Sequence, residues 1–157
     1  MRALAYFNSR EIKGGVLFVQ ECPHRPVHVR IAFHGPPGET HAIHIHEFGD
    51  MTGGCETLGA HYNPHGTTHG SREFPAKPRH AGDLINNLTF DRNGEFLYAY
   101  EDELLTLFGP DTIYGRSVVI HAGRDDLGRG QPRAESLKTG NAGKRIACAI
   151  IAKIADA

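Results

Sequence analysis

The sequence predicts an all-β protein in which eight strands form a Greek-key barrel or sandwich with two long functional loops. Apolar residues come in short alternating bursts, the pattern of strands with one buried face. Glycine (19 residues) and proline (9 residues) punctuate these bursts. A chain of 157 residues is long enough to bury one hydrophobic core. We therefore expect residues 1–157 to form a single domain.

Eight segments have the strand pattern. In chain order they are residues 2–7, 15–20, 27–33, 41–48, 83–90, 95–101, 112–121 and 145–154. Between the fifth and sixth, Asn93-Gly94 suits the positive φ of a tight turn and predicts a hairpin. Two long segments, roughly 49–82 and 122–143, interrupt the pattern. Loops longer than about 15 residues in a compact domain are usually functional or disordered, so we expect the functional residues there.

Charge and hydropathy argue against several classes of protein. Seventeen basic and 18 acidic residues give a formal net charge of −1, which does not favour binding to nucleic acid or to a membrane surface. No secretory signal is visible at the N-terminus. The longest apolar run, residues 146–155, is interrupted by Lys153 and is too short to cross a bilayer. We expect a soluble, cytoplasmic protein without nucleic-acid or membrane partners.

Histidine is concentrated in one part of the chain, because seven of the 11 histidines lie between residues 41 and 80. On a strand, His44 and His46 point to the same face and present two imidazoles to one ion. His41 has the opposite parity, which favours a structural role. His80 and Asp83, three residues apart, form a compact nitrogen and oxygen pair. Imidazole with carboxylate suits a transition metal better than calcium or magnesium.

The number of candidate ligands bears on the number of ions. A single histidine on a strand is more often a surface or hydrogen-bonded residue, and it is the clustering that favours metal binding. Tetrahedral zinc takes four ligands, so the set is too large for one such ion, and two metals that share a ligand would fit. The seven candidates are His44, His46, His61, His69, His80, Asp83 and His121.

Five segments resemble the signature of the copper-zinc superoxide dismutases, in the same order and at closely similar spacing. They are HIHEFGD, GAHYNPHGTTHG, RHAGDL, GRSVVIHAGRDDLGRG and KTGNAGKRIACAII. The resemblance covers residues 41 to 152 well and the first forty residues weakly. It implies a β-sandwich enzyme that converts superoxide to dioxygen and hydrogen peroxide by alternating reduction and oxidation of a histidine-bound copper, with a zinc nearby, in antioxidant defence.

The resemblance also assigns roles to individual residues. His61 would be shared between the two metals, and its nitrogen on the copper side would take up a proton when copper is reduced. Asp125 matches the carboxylate that links a copper ligand to a zinc ligand. The copper ligands would be His44, His46, His61 and His121, and the zinc ligands His61, His69, His80 and Asp83.

Further positions match the substrate channel and the disulfide of the family. Arg145 matches the cation that attracts and orients superoxide at the copper site. Residues 124–145 contain six basic and three acidic side chains, a local excess that would raise the encounter rate with an anion. Lys138 and Thr139 match channel positions, and Cys55 and Cys148 match the intrasubunit disulfide. The family commonly forms homodimers, and a copper chaperone is a further candidate partner.

Three alternatives remain at this point. A non-catalytic relative, such as a copper-chaperone domain, would lack copper ligands or the arginine, whereas this chain has all of them. A mononuclear zinc hydrolase or lyase also uses His-x-His, but the binuclear hydrolase pattern needs a further Asp-His that HIHEFGD does not supply. A copper-storage protein would use the same ligands, so only activity per bound copper separates it from the enzyme. No role is assigned to Cys22, His24, His28, His34 and His65.

Overall fold

The computed structural model describes residues 1–156 and contains eight strands, one short α-helix and a 3-10 turn at Gly54–Thr57. The strands form a nearly closed antiparallel barrel, which confirms the predicted fold class. None of the helices in residues 1–156 is long and apolar enough to span a membrane. The elements are β1 (Arg2–Asn8), β2 (Lys13–Val19), β3 (Val27–His34), β4 (Thr40–His46), β5 (Asn86–Thr89), β6 (Glu95–Asp102), β7 (Ser117–His121), α1 (Arg133–Thr139) and β8 (Arg145–Ile154).

The strands pair in the order β5-β4-β7-β8-β1-β2-β3-β6. The barrel therefore has two halves, β5-β4-β7-β8 and β1-β2-β3-β6, which are joined where Leu4 of β1 pairs with Ala152 of β8. Inward-pointing side chains from both halves form the core. Each large side chain buried there contributes about 1.5–3 kcal/mol of hydrophobic stabilisation. Fully buried examples are Phe18, Ile31, Ile43, Phe90 and Ile120.

The two halves differ in what covers their outer faces. β3 alternates strictly between buried and exposed residues, as expected for a strand with one face in water. β4 is buried from His41 to His46, and β7 is buried at every position. The long segments 47–85 and 122–144 cover these two strands, because their backbones bond to β4 at Ile45 and Ala42. The strands that carry candidate ligands therefore lie beneath both long loops.

The predicted hairpin at Asn93-Gly94 was wrong. The tight turn is present: Gly94 has a φ of 78°, and its N–H donates to the carbonyl of Asp91 at 3.0 Å. The strands on either side then separate, because β5 pairs with β4 and β6 pairs with β3. Local turn chemistry predicts a reversal of the chain but not the partners that each strand finds. The turn joins the two halves of the barrel.

Two strands are shorter than predicted, and the second long segment is not wholly irregular. Within the predicted strand 83–90, the observed strand is only Asn86–Thr89, and Asn86 has a φ of 62°. The segment 112–121 begins with a turn in which Gly115 has a φ of 76°, so only Ser117–His121 is extended. The unpredicted helix α1 ends at Gly140, where a left-handed φ of 69° lets the N–H bond to the carbonyl of Ser136.

Candidate metal centre

Two neighbouring strands present the first histidines. β4 and β7 pair with His44 opposite Val119 and His46 opposite Ser117. The pairing of β7 with β8 shifts register between Ile120 and His121, and such irregularities re-aim side chains. The Nε2 atoms of His46 and His121 consequently lie 3.3 Å apart.

The hydrogen bonds of these two rings determine their tautomers. Nδ1 of His46 donates to the carbonyl of Gly59 at 2.9 Å, and Nδ1 of His121 donates to the carbonyl of Gly143 at 3.0 Å. Each neutral ring then carries its lone pair on Nε2. Two lone pairs that face each other at 3.3 Å cannot form a hydrogen bond. A shared cation satisfies both, since imidazole nitrogen is a common metal ligand.

Two more buried ring nitrogens lack partners within residues 1–156. Nε2 of His44 donates to Oδ2 of Asp125 at 2.6 Å, which leaves Nδ1 of His44 without a hydrogen bond. Nε2 of His61 is likewise unpaired. Buried polar atoms are normally hydrogen-bonded, so orphaned ones require an explanation such as an ion. Four histidines come together here with their ligand atoms within 4.8 Å of one another; this strand set is His44, His46, His61 and His121.

A second set gathers around one carboxylate oxygen, Oδ1 of Asp83. The Nδ1 atoms of His69, His61 and His80 lie 2.9, 3.1 and 3.3 Å from it. Nδ1 of His61 is also 3.3 Å from Nδ1 of His80. In a tetrahedral zinc site with bonds of about 2.0–2.1 Å the ligand atoms are about 3.3 Å apart, so these separations fit zinc. We call this the loop set: His61, His69, His80 and Asp83.

Another grouping within reach has His44 in the place of His80. His44 already donates its Nε2 to Asp125 at 2.6 Å, so only its Nδ1 is available. Nδ1 of His80 lies 3.3 Å from Oδ1 of Asp83 and 3.3 Å from Nδ1 of His61, and the backbone N–H of His80 donates to Oδ2 of Asp83 at 2.9 Å. His80 therefore belongs to the loop set and His44 to the strand set. His61 joins the two sets, because Nδ1 faces Asp83 while Nε2 is unpaired.

Asp125 connects the two sets from behind. Its Oδ2 accepts from His44 and its Oδ1 lies 2.8 Å from Nε2 of His69. Two adjacent asparagines hold Asp125: Asn86 donates to Oδ2 at 3.1 Å, and Asn87 accepts from the backbone N–H at 2.8 Å. Sequence analysis did not identify these asparagines. The available signal was a pair of polar residues in a segment otherwise patterned as a strand.

A closed cycle of three backbone hydrogen bonds fastens the middle of the first long loop, at Tyr62, and its end, at Gly82, to β4. The N–H of Ile45 donates to Gly82 at 2.9 Å, that of Gly82 to Tyr62 at 2.9 Å, and that of Tyr62 to Ile45 at 2.8 Å. Gly82 permits this approach, because a Cβ there would lie only 2.4 Å from the carbonyl oxygen of Ile45. The cycle places His61, His80 and Asp83 beside the end of β4.

The strand set is held in the neutral form. Burial, reinforced by the nearby His61, lowers the pKa of His44 to about 3 and that of His46 to about 2. Burial also lowers the pKa of His121 to about 4. At neutral pH these rings carry no extra proton, so their lone pairs are free for a metal.

The loop set has a different charge state. Burial opposes protonation of His69, but the hydrogen bonds that His69 donates to Asp125 and Asp83 raise its pKa to about 9. Burial likewise opposes ionisation of Asp83, yet hydrogen bonds from His61 and His69 hold the pKa of that carboxyl well below its usual value. Without metal, the loop set is an ion-paired network that must give up a proton from His69 before a metal can bind.

The strand set opens to a cavity of about 520 Å³ that is lined by His46, His61 and His121. Arg145, Lys138 and Thr139, the positions to which the resemblance assigned a channel role, lie on its walls. The guanidinium of Arg145 donates to the carbonyls of Cys55 at 2.8 Å and Gly59 at 2.6 Å. A fixed cation therefore faces the cavity.

The structure joins Cys55 and Cys148 in a disulfide, as the resemblance implied, and Cys22 is exposed and outside it. His41 is buried and donates from Nδ1 to the carbonyl of His121 at 2.9 Å, which agrees with a structural role. The remaining histidines belong to neither set: His24, His28, His34 and His65.

The family model of copper/zinc superoxide dismutase matches residues 12–151. The chain belongs to the copper/zinc superoxide dismutase family. Membership confirms the prediction of an oxidoreductase of this type with copper and zinc as cofactors, and both donor sets suit those metals.

Individual relatives of this dismutase family are similar over almost the whole chain. The Cu-Zn superoxide dismutase of Neurospora crassa is 48% identical over 141 residues, 89% of each chain. That of Schizosaccharomyces pombe is 44% identical over 153 residues, 96% of this chain and 97% of the relative. A crystal structure of the clock protein EA4 has a TM-score of 0.87 and 39% identity, and the match covers 98% of this chain and 94% of that one.

Proposed function

We propose that the strand set holds copper, that the loop set holds zinc, and that the centre dismutates superoxide as an antioxidant defence. The observation that carries this proposal is the set of partnerless lone pairs. Nδ1 of His44 and Nε2 of His61 are buried without a hydrogen bond to any of residues 1–156, and the Nε2 atoms of His46 and His121 face each other. A copper ion there would supply the one-electron chemistry in both directions, and the zinc would hold the loop.

The protein's own groups bind the substrate and handle the proton. Superoxide is an anion, and Arg145 offers a guanidinium whose position is set by the carbonyls of Cys55 and Gly59. Lys138 adds positive charge on the same cavity wall. His61 reaches this cavity with its partnerless Nε2, so that atom is the place where a proton for the peroxide product would be held.

The proposal is tested by metal analysis and dismutase rate on the same sample. We expect one copper and one zinc per chain, fast removal of superoxide, and slower removal in high salt because screening weakens the attraction. Arg145→Ala should lower the rate about 10-fold or more, while Arg10→Ala, an exposed arginine outside the cavity, should leave it unchanged. Full metal loading with a rate no better than buffer would instead make the protein a metal store.

We propose that the chain forms a homodimer through one apolar face. Leu4 pairs with Ala152, so Tyr6 and Ile150, two residues further along β1 and β8, share the same outer face. Met51 touches Cys148 at 3.8 Å, and Gly49 lies against Ile150. Tyr6, Phe48, Met51 and Ile150 are 41–64% exposed. An apolar patch of this kind beside a disulfide-bonded loop suits a second copy of the same surface.

Sedimentation at micromolar concentration tests the dimer. The wild type should have about twice the monomer mass of 17.2 kDa. Phe48→Glu should dissociate it, because a charge would be buried against an apolar surface. Leu97→Glu is the matched control, since Leu97 is 76% exposed on β6, far along the sheet order. A monomeric wild type would contradict the proposal.

A further inference from the structure

The chain makes an excursion between the two middle ligands of the loop set. Residues 71–78 leave the site after His69 and return before His80. They form two successive turns, in which Phe74 donates to the carbonyl of Ser71 at 3.1 Å and Lys77 to that of Phe74 at 2.9 Å. Residues 71–78 contain none of the strands found in the described chain, so the position of the excursion depends on what its side chains contact.

Arg72 ties the excursion to β6. Its Nη1 lies 3.1 Å from Oδ2 of Asp102, and its Nη2 donates to the carbonyl of Glu101 at 2.8 Å. The guanidinium also lies 4.3 Å from the ring centroid of Tyr100, within the range of a cation–π contact. Asp102 is fully buried, whereas the Arg72 side chain is one-third exposed. Three contacts of different kinds thus hold one arginine on one strand.

The same buried carboxylate holds the returning end of the excursion. Nη2 of Arg79 lies 2.8 and 3.0 Å from the two oxygens of Asp102. The other terminal nitrogen of Arg79 donates to the carbonyls of His80, Ala81 and Asp83 at 3.2–3.4 Å. Asp102 therefore binds an arginine at each end of the excursion. Arg79 in turn binds the backbone carbonyls of two loop-set ligands, His80 and Asp83.

A further contact links the excursion to the second long loop. The guanidinium of Arg129 lies 4.8 Å from the ring centroid of Phe74. The N–H of His69, just before the excursion, donates to the carbonyl of Leu137 in α1 at 2.8 Å. The excursion is thus fastened to the barrel on one side and to the second loop on the other.

We infer that Arg72 is a positioning residue for the zinc site: it holds residues 71–78 on β6 so that the loop set stays assembled and zinc is retained. The inference rests on the proposed zinc site. The free energy of metal binding includes the cost of ordering the ligands. Contacts that order a loop before the metal binds reduce that cost. Partners outside the ligand set typically change metal affinity 10–100-fold.

The test is the rate at which fully loaded protein releases zinc to a chromogenic chelator. Arg72→Ala should release zinc about 10-fold faster than the wild type. Arg72→Lys should fall between them, because an ammonium keeps the charge but loses the planar fork and the stacking on Tyr100. Lys77→Ala is the control, since that side chain lies in the same excursion without an ion pair or hydrogen bond within residues 1–156.

A melting experiment separates positioning from general stability. A purely structural role would lower the Tm of metal-free and zinc-loaded Arg72→Lys equally. Positioning of the zinc site predicts that the rise in Tm on zinc binding becomes smaller, since that rise reports affinity. Zinc release from Arg72→Ala and Arg72→Lys at the wild-type rate would overturn the inference. A wild type that binds no zinc at all would instead overturn the proposed zinc site.

Discussion

The strand set and the loop set lie side by side and share His61, yet the protein builds them in opposite ways. Three members of the strand set stand on β4 and β7, and their rings are fixed by carbonyls of Gly59 and Gly143 or by Asp125. The loop set has none of its members on a strand, and its rings converge on one carboxylate oxygen. The strand set is held by strands and backbone carbonyls, and the loop set is an ion-paired network that must lose a proton from His69 before a metal binds.

The difference shows two ways to prepare a metal site. Burial keeps the rings of His44, His46 and His121 neutral, so each ring has one lone pair available for a cation. The carboxylates around His69 do the reverse and keep it protonated. We therefore expect copper binding to depend mainly on the ligands themselves, and zinc binding to depend also on protons and on the contacts that fasten the loop.

Removing one ligand from each set gives the sharpest separation and the largest effect. His121→Ala should lose copper and reduce dismutase activity to that of buffer while it keeps about one zinc, because the loop set does not contain His121. His80→Ala should lose zinc first. The measurement is metal content together with activity. Loss of both metals in both variants would show that the two sets form a single site.

Asp125 is the contact through which the sets are coupled. Asp125→Asn removes a carboxylate that bonds both His44 and His69, so the affinity for each metal should fall about 10–100-fold. Competition with chelators of known affinity measures the change. Asp111→Asn, at an exposed carboxylate, is the matched control. A change in only one metal would show that the sets are independent.

Protons should distinguish the two sets by about 10-fold per pH unit. With a pKa of about 9, His69 must release a proton when zinc binds near neutral pH, so zinc affinity should rise about 10-fold per unit up to that pH. Copper affinity should be flat from about pH 5 to 8, because the pKa values of His44, His46 and His121 lie at about 3, 2 and 4 and burial lowers that of His61 as well. Calorimetry in buffers of different ionisation enthalpy counts the protons. Equal proton release by both metals would remove this distinction.

The smallest expected effect is on the metal-free protein. The raised pKa of His69 contributes stability that is fully present below pH 6.5 and is lost as pH rises through about 9. The lowered pKa values of the strand set act below pH 6.5, where stability falls with acid. Urea unfolding across pH 6.5–9 should show a loss on the order of 1–3 kcal/mol. Asp125→Asn should reduce this loss, and an unchanged profile would argue against the network around His69.

The sequence predicted the barrel well where one face of a strand meets water. β3 alternates between buried and exposed residues as expected, and β6 begins at Glu95, directly after the predicted turn. The fold class was predicted from segments of this kind. The predicted strand 83–90 was too long at its start, because Asn86, three residues after the candidate ligand Asp83, has a φ of 62° and β5 begins only there. The hairpin prediction failed for a different reason, because strand pairing is decided by the whole barrel and not by the turn.

The candidate ligands could be named from motifs, and the structure brings all seven together. Strand parity accounts for His44 and His46, but it does not say which set each loop histidine joins. The partners of the supporting residues Arg72 and Asn87 had no sequence signal. Asp102 and Arg72 are thirty residues apart, and Asn87 meets Asp125 across 38 residues. Such contacts depend on how the long loops fold back onto the barrel, and local periodicity in the sequence does not predict this.

The backbone cycle of Ile45, Tyr62 and Gly82 has a consequence for how the site opens. Each of its residues neighbours a ligand of one or both sets, and each amide is bonded to the next member. Breaking one bond weakens the geometry of the other two, so the three amides should exchange with solvent together as one cooperative unit. The slowest hydrogen exchange in the first long loop should therefore occur at this junction. The strand set and the loop set are built differently, but we expect them to open together.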